Sequence, residues 1–181
     1  MLHLKNITAG NPKTAEQYQM TKQHGITWLF SEDDRNWYEE LKNFASDTIK
    51  MVYTGDGRVV WVGKDVTGIE PRNASVIEVP DITANRRITV PGYWFYRDDK
   101  FVFDYKLKAE DERDALLQRA SIMTSEWEKD LLLGLISDED REKLKAYRIY
   151  AKSLQAMDFS TIADKSSYNA IEWPVSPEAS S

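Results

Sequence analysis

His3 and His24 are the only histidines in the chain, and cysteine is absent. A Ser-His-Asp triad would have to use one of these two imidazoles near the N-terminus. The lack of cysteine excludes a disulfide framework, a thiolate zinc site and a cysteine nucleophile. Two histidines are too few for a His-rich metal site. Acidic pairs occur at Glu32-Asp33 and Glu39-Glu40. Paired carboxylates do acid and base work in glycoside hydrolysis, but only at a set separation in space. Neighbours in sequence fit a turn or a solvated surface better. No P-loop, GxGxxG, GxSxG, HExxH or EF-hand spacing is present. The expectation is therefore no catalytic set, no metal ligands and no cofactor.

The aromatics carry more information. The 181 residues include six Trp and nine Tyr. Trp28, Trp37, Tyr38, Trp61, Trp94 and Tyr96 lie on or beside expected strands of the first half. A small β domain needs some of these for its core. The surplus suits a protein interface, where Trp and Tyr dominate the binding energy, or a stacking platform for sugars. Trp28, Trp37, Tyr38, Trp61 and Trp94 are the candidate binding residues. Arg86-Arg87 is the only adjacent basic pair and fits a solvated surface. Neither half of the chain is basic, so nucleic acid is not an expected partner. No apolar run approaches ~18 residues, so no membrane-spanning helix is expected. The opening MLHLKNITAG has no basic region followed by an apolar one, so no signal peptide is expected.

The elements that must position these residues fall into two groups. Thr48–Tyr53 and Arg58–Val62 are β-rich and flank Gly55-Asp56-Gly57, which predicts a hairpin. Ser75–Val79 is a third short strand, closed by Pro80. Gly92–Arg97 and Phe101–Tyr105 flank Asp98-Asp99-Lys100, a second hairpin. Ile26–Phe30 reads as a strand, with Ser31–Asp34 as a turn. Trp37, Leu41 and Phe44 have helical spacing, yet a hairpin returning through Asn36–Glu39 is preferred. Residues 5–24 are polar and without clear period, apart from a short helix around Ala15–Lys22.

Beyond residue 108 the period switches. Leu116, Ala120, Met123, Trp127 and Leu131 share one helical face. Glu110, Asp111, Glu112 and Asp114 crowd the expected start of that helix, where the dipole favours carboxylates. Gly134 interrupts it. Ser137 with Asp140 resembles a capping box and opens a second helix, in which Leu144, Tyr147, Ala151 and Leu154 step by 3, 4 and 3. The result is an antiparallel αα-hairpin, whose apolar stripes need something further to pack on. Residues 158–181 read as a Ser-rich tail, with Trp173-Pro174 as an anchor into a groove or against its own domain. The charge supports the division. The net charge of −6 arises wholly in residues 109–181, which carry 15 acidic and 9 basic side chains, while residues 1–108 carry 15 of each. The predicted fold class is α+β, with a small antiparallel β domain at 1–108 and a helical domain with an extended tail at 109–181.

Long blocks of the sequence resemble those of phage tail fibre assembly proteins, the fibre chaperones of Mu-like phages. They are HLKNITAGNPKTAEQYQMTK, WLFSEDDRNWYEELKNF, DTIKMVYTGDGRVV and SVIEVPDITANRR in the first half, and EDREKLKAYRIYAKSL and IEWPVSP in the second. Relatives usually have Asp-Gly where this chain has Asp33-Asp34. The resemblance implies a non-enzymatic chaperone needed for a trimeric tail fibre to fold and oligomerise. It implies an N-terminal domain that binds the C-terminal tip of the fibre, and a helical domain that supports self-association into a homo-oligomer. In this chain Leu116, Met123, Trp127, Leu144, Tyr147, Ala151 and Leu154 are the candidates for that contact. The setting implied is the bacterial host cytoplasm, and in some relatives the chaperone stays on the fibre and contributes to host-surface binding. The alternative from the aromatics is a carbohydrate-binding module that meets a host-surface glycan.

Overall fold

The computed structural model describes the backbone of residues 1–180 and the side chains of residues 1–178. The chain is α+β and divides into two units, Met1–Phe103 and a second beginning at Asp104.

The first unit contains strands β1 His3–Gly10, β2 Trp28–Phe30, β3 Ile49–Thr54, β4 Val59–Gly63 and β5 Ala74–Val79. They form one antiparallel sheet in the order β2-β1-β5-β3-β4. Both faces are covered. This explains why TIKMVY and SVIEV read as near-continuous apolar runs rather than as alternating ones. On one face Leu4, Ile7, Leu29, Val52 and Val76 pack with Trp37. On the other, Met51, Tyr53, Ile77 and Val79 pack under Trp94. Trp94 comes from a two-stranded ribbon of β6 Trp94–Arg97 and β7 Lys100–Phe103. Its loop is Asp98-Asp99, both at positive φ (49° and 56°), the two-residue turn whose twist matches the strands it joins. Gly57 fits where another residue would not. Its φ is 89°, and a Cβ there would come within 2.5 Å of the Tyr96 carbonyl oxygen.

Three expectations for this unit need correction. Residues 3–10 form β1, which lies in the interior of the sheet. Its period was hidden because the register shifts between Leu4 and Ile7, with Asn6 at φ 48°; two buried residues three apart do not look like a strand. The segment after β2 is not a hairpin. It turns tightly through Ser31–Arg35, with Asp34 at φ 67°, and then enters α2 Trp37–Glu40 and a 3-10 turn Leu41–Asn43. Asn36 caps α2 by accepting from the Tyr38 amide, and the helical spacing of Trp37 and Leu41 wins because it turns both toward the core. Finally, β7 ends at Phe103, so Tyr105 belongs to the following helix. The helix expected near Ala15 is α1 Ala15–His24, and a short α3 Thr83–Arg86 follows β5.

The second unit is an αα-hairpin of α4 Tyr105–Leu133 and α5 Asp138–Gln155. The cap of α4 is Asp104, whose carboxylate accepts from the Leu107 amide at 2.9 Å. The acidic cluster Glu110–Asp114 therefore lies past the first turn, not at the helix start. Gly134 ends α4 in the left-handed conformation (φ 71°), and Ser137 caps α5 by accepting from the Asp140 amide. Ala120, Tyr147, Tyr150 and Leu154 form the core of this unit, with Leu116, Leu117, Trp127, Met157 and Trp173 against it. The tail is more structured than expected. It contains α6 Lys165–Asn169, opened by a capping box between Asp164 and Ser167, and a 3-10 turn from Pro177.

Candidate functional site

Of the five candidate binding aromatics, the fold brings together Trp28 and Tyr38. Thr14 caps α1, and α1 presents the Gln17 carbonyl and Thr21 hydroxyl to the Trp28 indole, which donates to them at 3.2 and 2.8 Å. Trp28 is thus a fixed, buried floor. Tyr38 rises from α2 beside it, 39% exposed, and its hydroxyl donates to the Thr27 carbonyl at 3.0 Å. The rings meet edge to face, 5.8 Å apart at 85°. With Met20, Ile26, Glu70 and Arg72 they line an open groove of about 440 Å³. Burial first, and then the charge of Glu70, raise the Tyr38 phenol above its ordinary range. It is therefore a neutral hydrogen-bonding aromatic at neutral pH. Glu70 and Arg72 pair at 2.5 Å on the rim. An amphipathic ring over an apolar floor, with a polar rim, is the anatomy of a protein-binding hot spot.

The other candidates are placed elsewhere. Trp37 is 1% exposed and packs on Phe44, so its role is structural. Trp94 is also buried, between Phe103 and the Arg87 guanidinium. Trp61 is partly exposed on β4, its ring lying across Gly63, where a Cβ would come within 2.6 Å of it. Met20, Ile26, Glu70 and Arg72 were not singled out from sequence. Met20 lies on a helix without an apolar stripe, and Glu70 and Arg72 lie in a loop without a period to read.

In the second unit, the stripe expected to meet another copy closes the hairpin on itself. Leu144, Tyr147 and Leu154 are buried within the unit; Leu116, Trp127 and Ala151 are half-buried, and Met123 is exposed. The apolar surface left open lies at the tip, where Leu131, Leu132, Leu133 and Leu135 are exposed, Leu132 by 86%. Trp173 anchors the tail within its own unit, 5.7 Å from Phe159, and Pro174 beside it is half-buried. A second tie holds the tail. Lys108 donates to the Tyr168 hydroxyl at 2.7 Å, and that hydroxyl donates to Glu112 at 2.5 Å. The hydrogen bond to Tyr168 raises the Lys108 pKa, which keeps the ammonium charged. That is the reverse of what a nucleophilic lysine needs.

The two histidines do not meet a serine and a carboxylate. His3 shares a hydrogen bond with the Tyr53 hydroxyl at 2.7 Å, and burial lowers its pKa. Beside them Tyr96 hydrogen-bonds Asp99, and burial followed by that contact pushes its pKa up to about 12. This cluster joins β1 and β3 to the ribbon. His24 is exposed in the last turn of α1.

Comparison with known proteins places the chain. The family described as Caudovirales tail fibre assembly protein, lambda gpK, matches residues 39–178. The chain belongs to the tail fibre assembly family. Tail fiber assembly protein U' of Escherichia phage Mu is 48% identical over 168 residues, spanning 90% of this chain and 95% of that protein. The protein of the same name from Escherichia phage P1 is 46% identical over the same shares. Tail fiber assembly protein U of phage Mu is 39% identical over 184 residues, spanning 98% of this chain and all of that protein. The family match begins at Glu39, within α2 and one residue after Tyr38, and runs through α5 to Glu178. Among the described residues no helix is long and apolar enough to cross a membrane.

Proposed function

We propose that this chain is a non-enzymatic assembly chaperone that binds the C-terminal tip of a phage tail fibre and promotes its folding and trimerisation. Membership of the tail fibre assembly family along most of the chain carries this reading. The groove around Tyr38 and Trp28 supports it as the fibre contact, with Trp61 on β4 as a second exposed aromatic. The chaperone self-associates through the leucines at the αα-hairpin tip. An oligomer gathers several fibre chains and raises their local concentration, so that trimerisation becomes nearly intramolecular. Bound fibre strands are kept from pairing edge to edge with the wrong chain. The work is done in the host cytoplasm during assembly. A sugar-binding role has less support, because Trp28 and Tyr38 stand at 85° and offer no common flat face to a pyranose ring.

The test is to express the cognate fibre's C-terminal region with and without this chain and to measure its solubility and trimer content by light scattering. Trimer should form only with the chaperone. A fibre that trimerises equally well alone overturns the proposal. Tyr38→Ala should weaken fibre binding by about 2 kcal/mol while the chain still unfolds cooperatively. For self-association, Leu132→Asp with Leu133→Asp should lower the mass of the free chaperone. Leu144→Asp and Leu154→Asp are unsuitable, because those side chains are buried in the hairpin itself.

A further inference from the structure

Tyr147 projects from α5 between two adjoining cavities of about 300 and 500 Å³. It is 6% exposed, and its hydroxyl has no hydrogen bond among the described residues. Glu178 and Ser176 are its polar neighbours; burial, and then Glu178, push the phenol's pKa up. A buried hydroxyl without a partner is costly. Here it sits in a groove whose floor is Met123, Trp127, Ala146 and Pro177. The rim is acidic. Glu139, Glu142 and Glu178 surround the larger cavity, and Lys143, the one cation among its described lining residues, is already bonded to Glu139 at 2.6 Å.

We propose that this α4–α5 groove is a docking site for a basic peptide segment of a partner protein, one bulky apolar side chain flanked by Lys or Arg. The apolar floor takes the anchor, with Met123 adapting to its shape. The carboxylates pair with the flanking cations. The Tyr147 hydroxyl donates to a backbone carbonyl of the segment. The helical half of a second copy is a poor occupant, because residues 109–181 carry 15 acidic and 9 basic side chains and like charges oppose the contact. The proposal does not rest on the fibre-chaperone reading, and a generic peptide tests it.

The probe is a fluorescein-labelled peptide of about ten residues, with Phe-Leu at its centre and two basic residues on each side. Its control has Glu at every basic position. Anisotropy with the full chain should show the basic peptide binding at least about tenfold tighter, an advantage that shrinks between about 50 and about 500 mM salt. Glu139→Lys with Glu142→Lys should remove the advantage. Tyr147→Phe should weaken binding about fivefold while the melting temperature holds or rises, since the orphaned hydroxyl is gone. No binding of the basic peptide, equal binding of both peptides, or indifference to the charge reversal overturns the proposal. A melting temperature that falls in Tyr147→Phe also overturns it, because the hydroxyl would then have a partner within the chain.

Discussion

Replacing Glu78 by glutamine should destabilise the first unit by about 3 kcal/mol, although it changes one atom type. Glu78 lies on β5, 5% exposed, directly across from Lys50 on β3, which is 1% exposed. The carboxylate accepts from the Leu2 amide at 2.9 Å, the Ala45 amide at 2.7 Å and the Thr48 hydroxyl at 2.6 Å. Lys50 donates to the Ala45 and Thr48 carbonyls. Two buried charged side chains thus tie the N-terminus and the 45–48 loop to the sheet, each through its own hydrogen bonds. Hydrogen bonds to a charged group contribute roughly 1.5–3 kcal/mol each. Glutamine can keep the bonds from Ala45 and Thr48 in weaker form, but its amide then faces the Leu2 N–H, donor against donor. It also removes the negative charge opposite the buried Lys50, and a buried charge left uncompensated is costly.

Urea unfolding at neutral pH, followed by tryptophan emission, measures the loss. A second signature is acid sensitivity. Burial opposes ionisation of Glu78, but the Thr48, Leu2 and Ala45 hydrogen bonds and the Lys50 charge outweigh it and hold its pKa below the ordinary 4.5. A depressed carboxylate stabilises the fold above its unfolded pKa and loses that contribution as pH falls through its folded one. The wild type should therefore weaken below about pH 4.5, and Glu78→Gln should show a flatter acid limb. Lys50→Met added to Glu78→Gln should recover part of the loss. A variant within about 0.5 kcal/mol of wild type, with an unchanged acid limb, refutes the reasoning.

Other outcomes follow from single contacts. Asp34→Gly should raise stability by about 0.5 kcal/mol, because Asp34 is held at φ 67° where glycine is at ease and its pair with Lys13 is exposed and worth little; urea midpoints check this. Leu154→Ala, at a fully buried site in the αα core, should cost about 2–5 kcal/mol and be seen as early loss of helical circular dichroism. Tyr168→Phe removes two hydrogen bonds that join α6 to α4, and should speed amide exchange in residues 158–171 while the α5 amides stay protected.

What the sequence made legible was set by how regular each signal is. The β3–β4 and β6–β7 hairpins were readable because β-formers flank Gly or Asp turns, and the αα-hairpin because Gly134 and Ser137 mark its bend. β1 was not, since a bulge at Asn6 breaks the alternation a strand is recognised by. α2 was misread because a four-residue helix has too few positions to outvote the turn before it. The candidate site was harder. Trp28, Trp37 and Trp94 look alike in sequence, yet burial is decided by which sheet face each meets, a property of the pairing order. Glu70 and Arg72 reach the Tyr38 groove from a loop with no local pattern. The stripe Leu144–Leu154 was rightly seen as apolar, but its partner is α4, which a heptad pattern alone does not specify.

The order β2-β1-β5-β3-β4 also sets a timetable for synthesis. β1 pairs with β5 through His3 and Ile77, so the first strand made must wait for almost the last residue of the five-stranded sheet before its inner edge is closed. Long-range pairings of this kind are slow to form, whereas α4 and α5 meet across a four-residue bend. On the ribosome, Leu4 and Ile7 emerge early, and their β5 partners follow only after some seventy residues of further translation. This chain thus begins life with a strand whose inner edge is open, and is exposed, until β5 arrives, to the same mispairing it is proposed to prevent in a fibre.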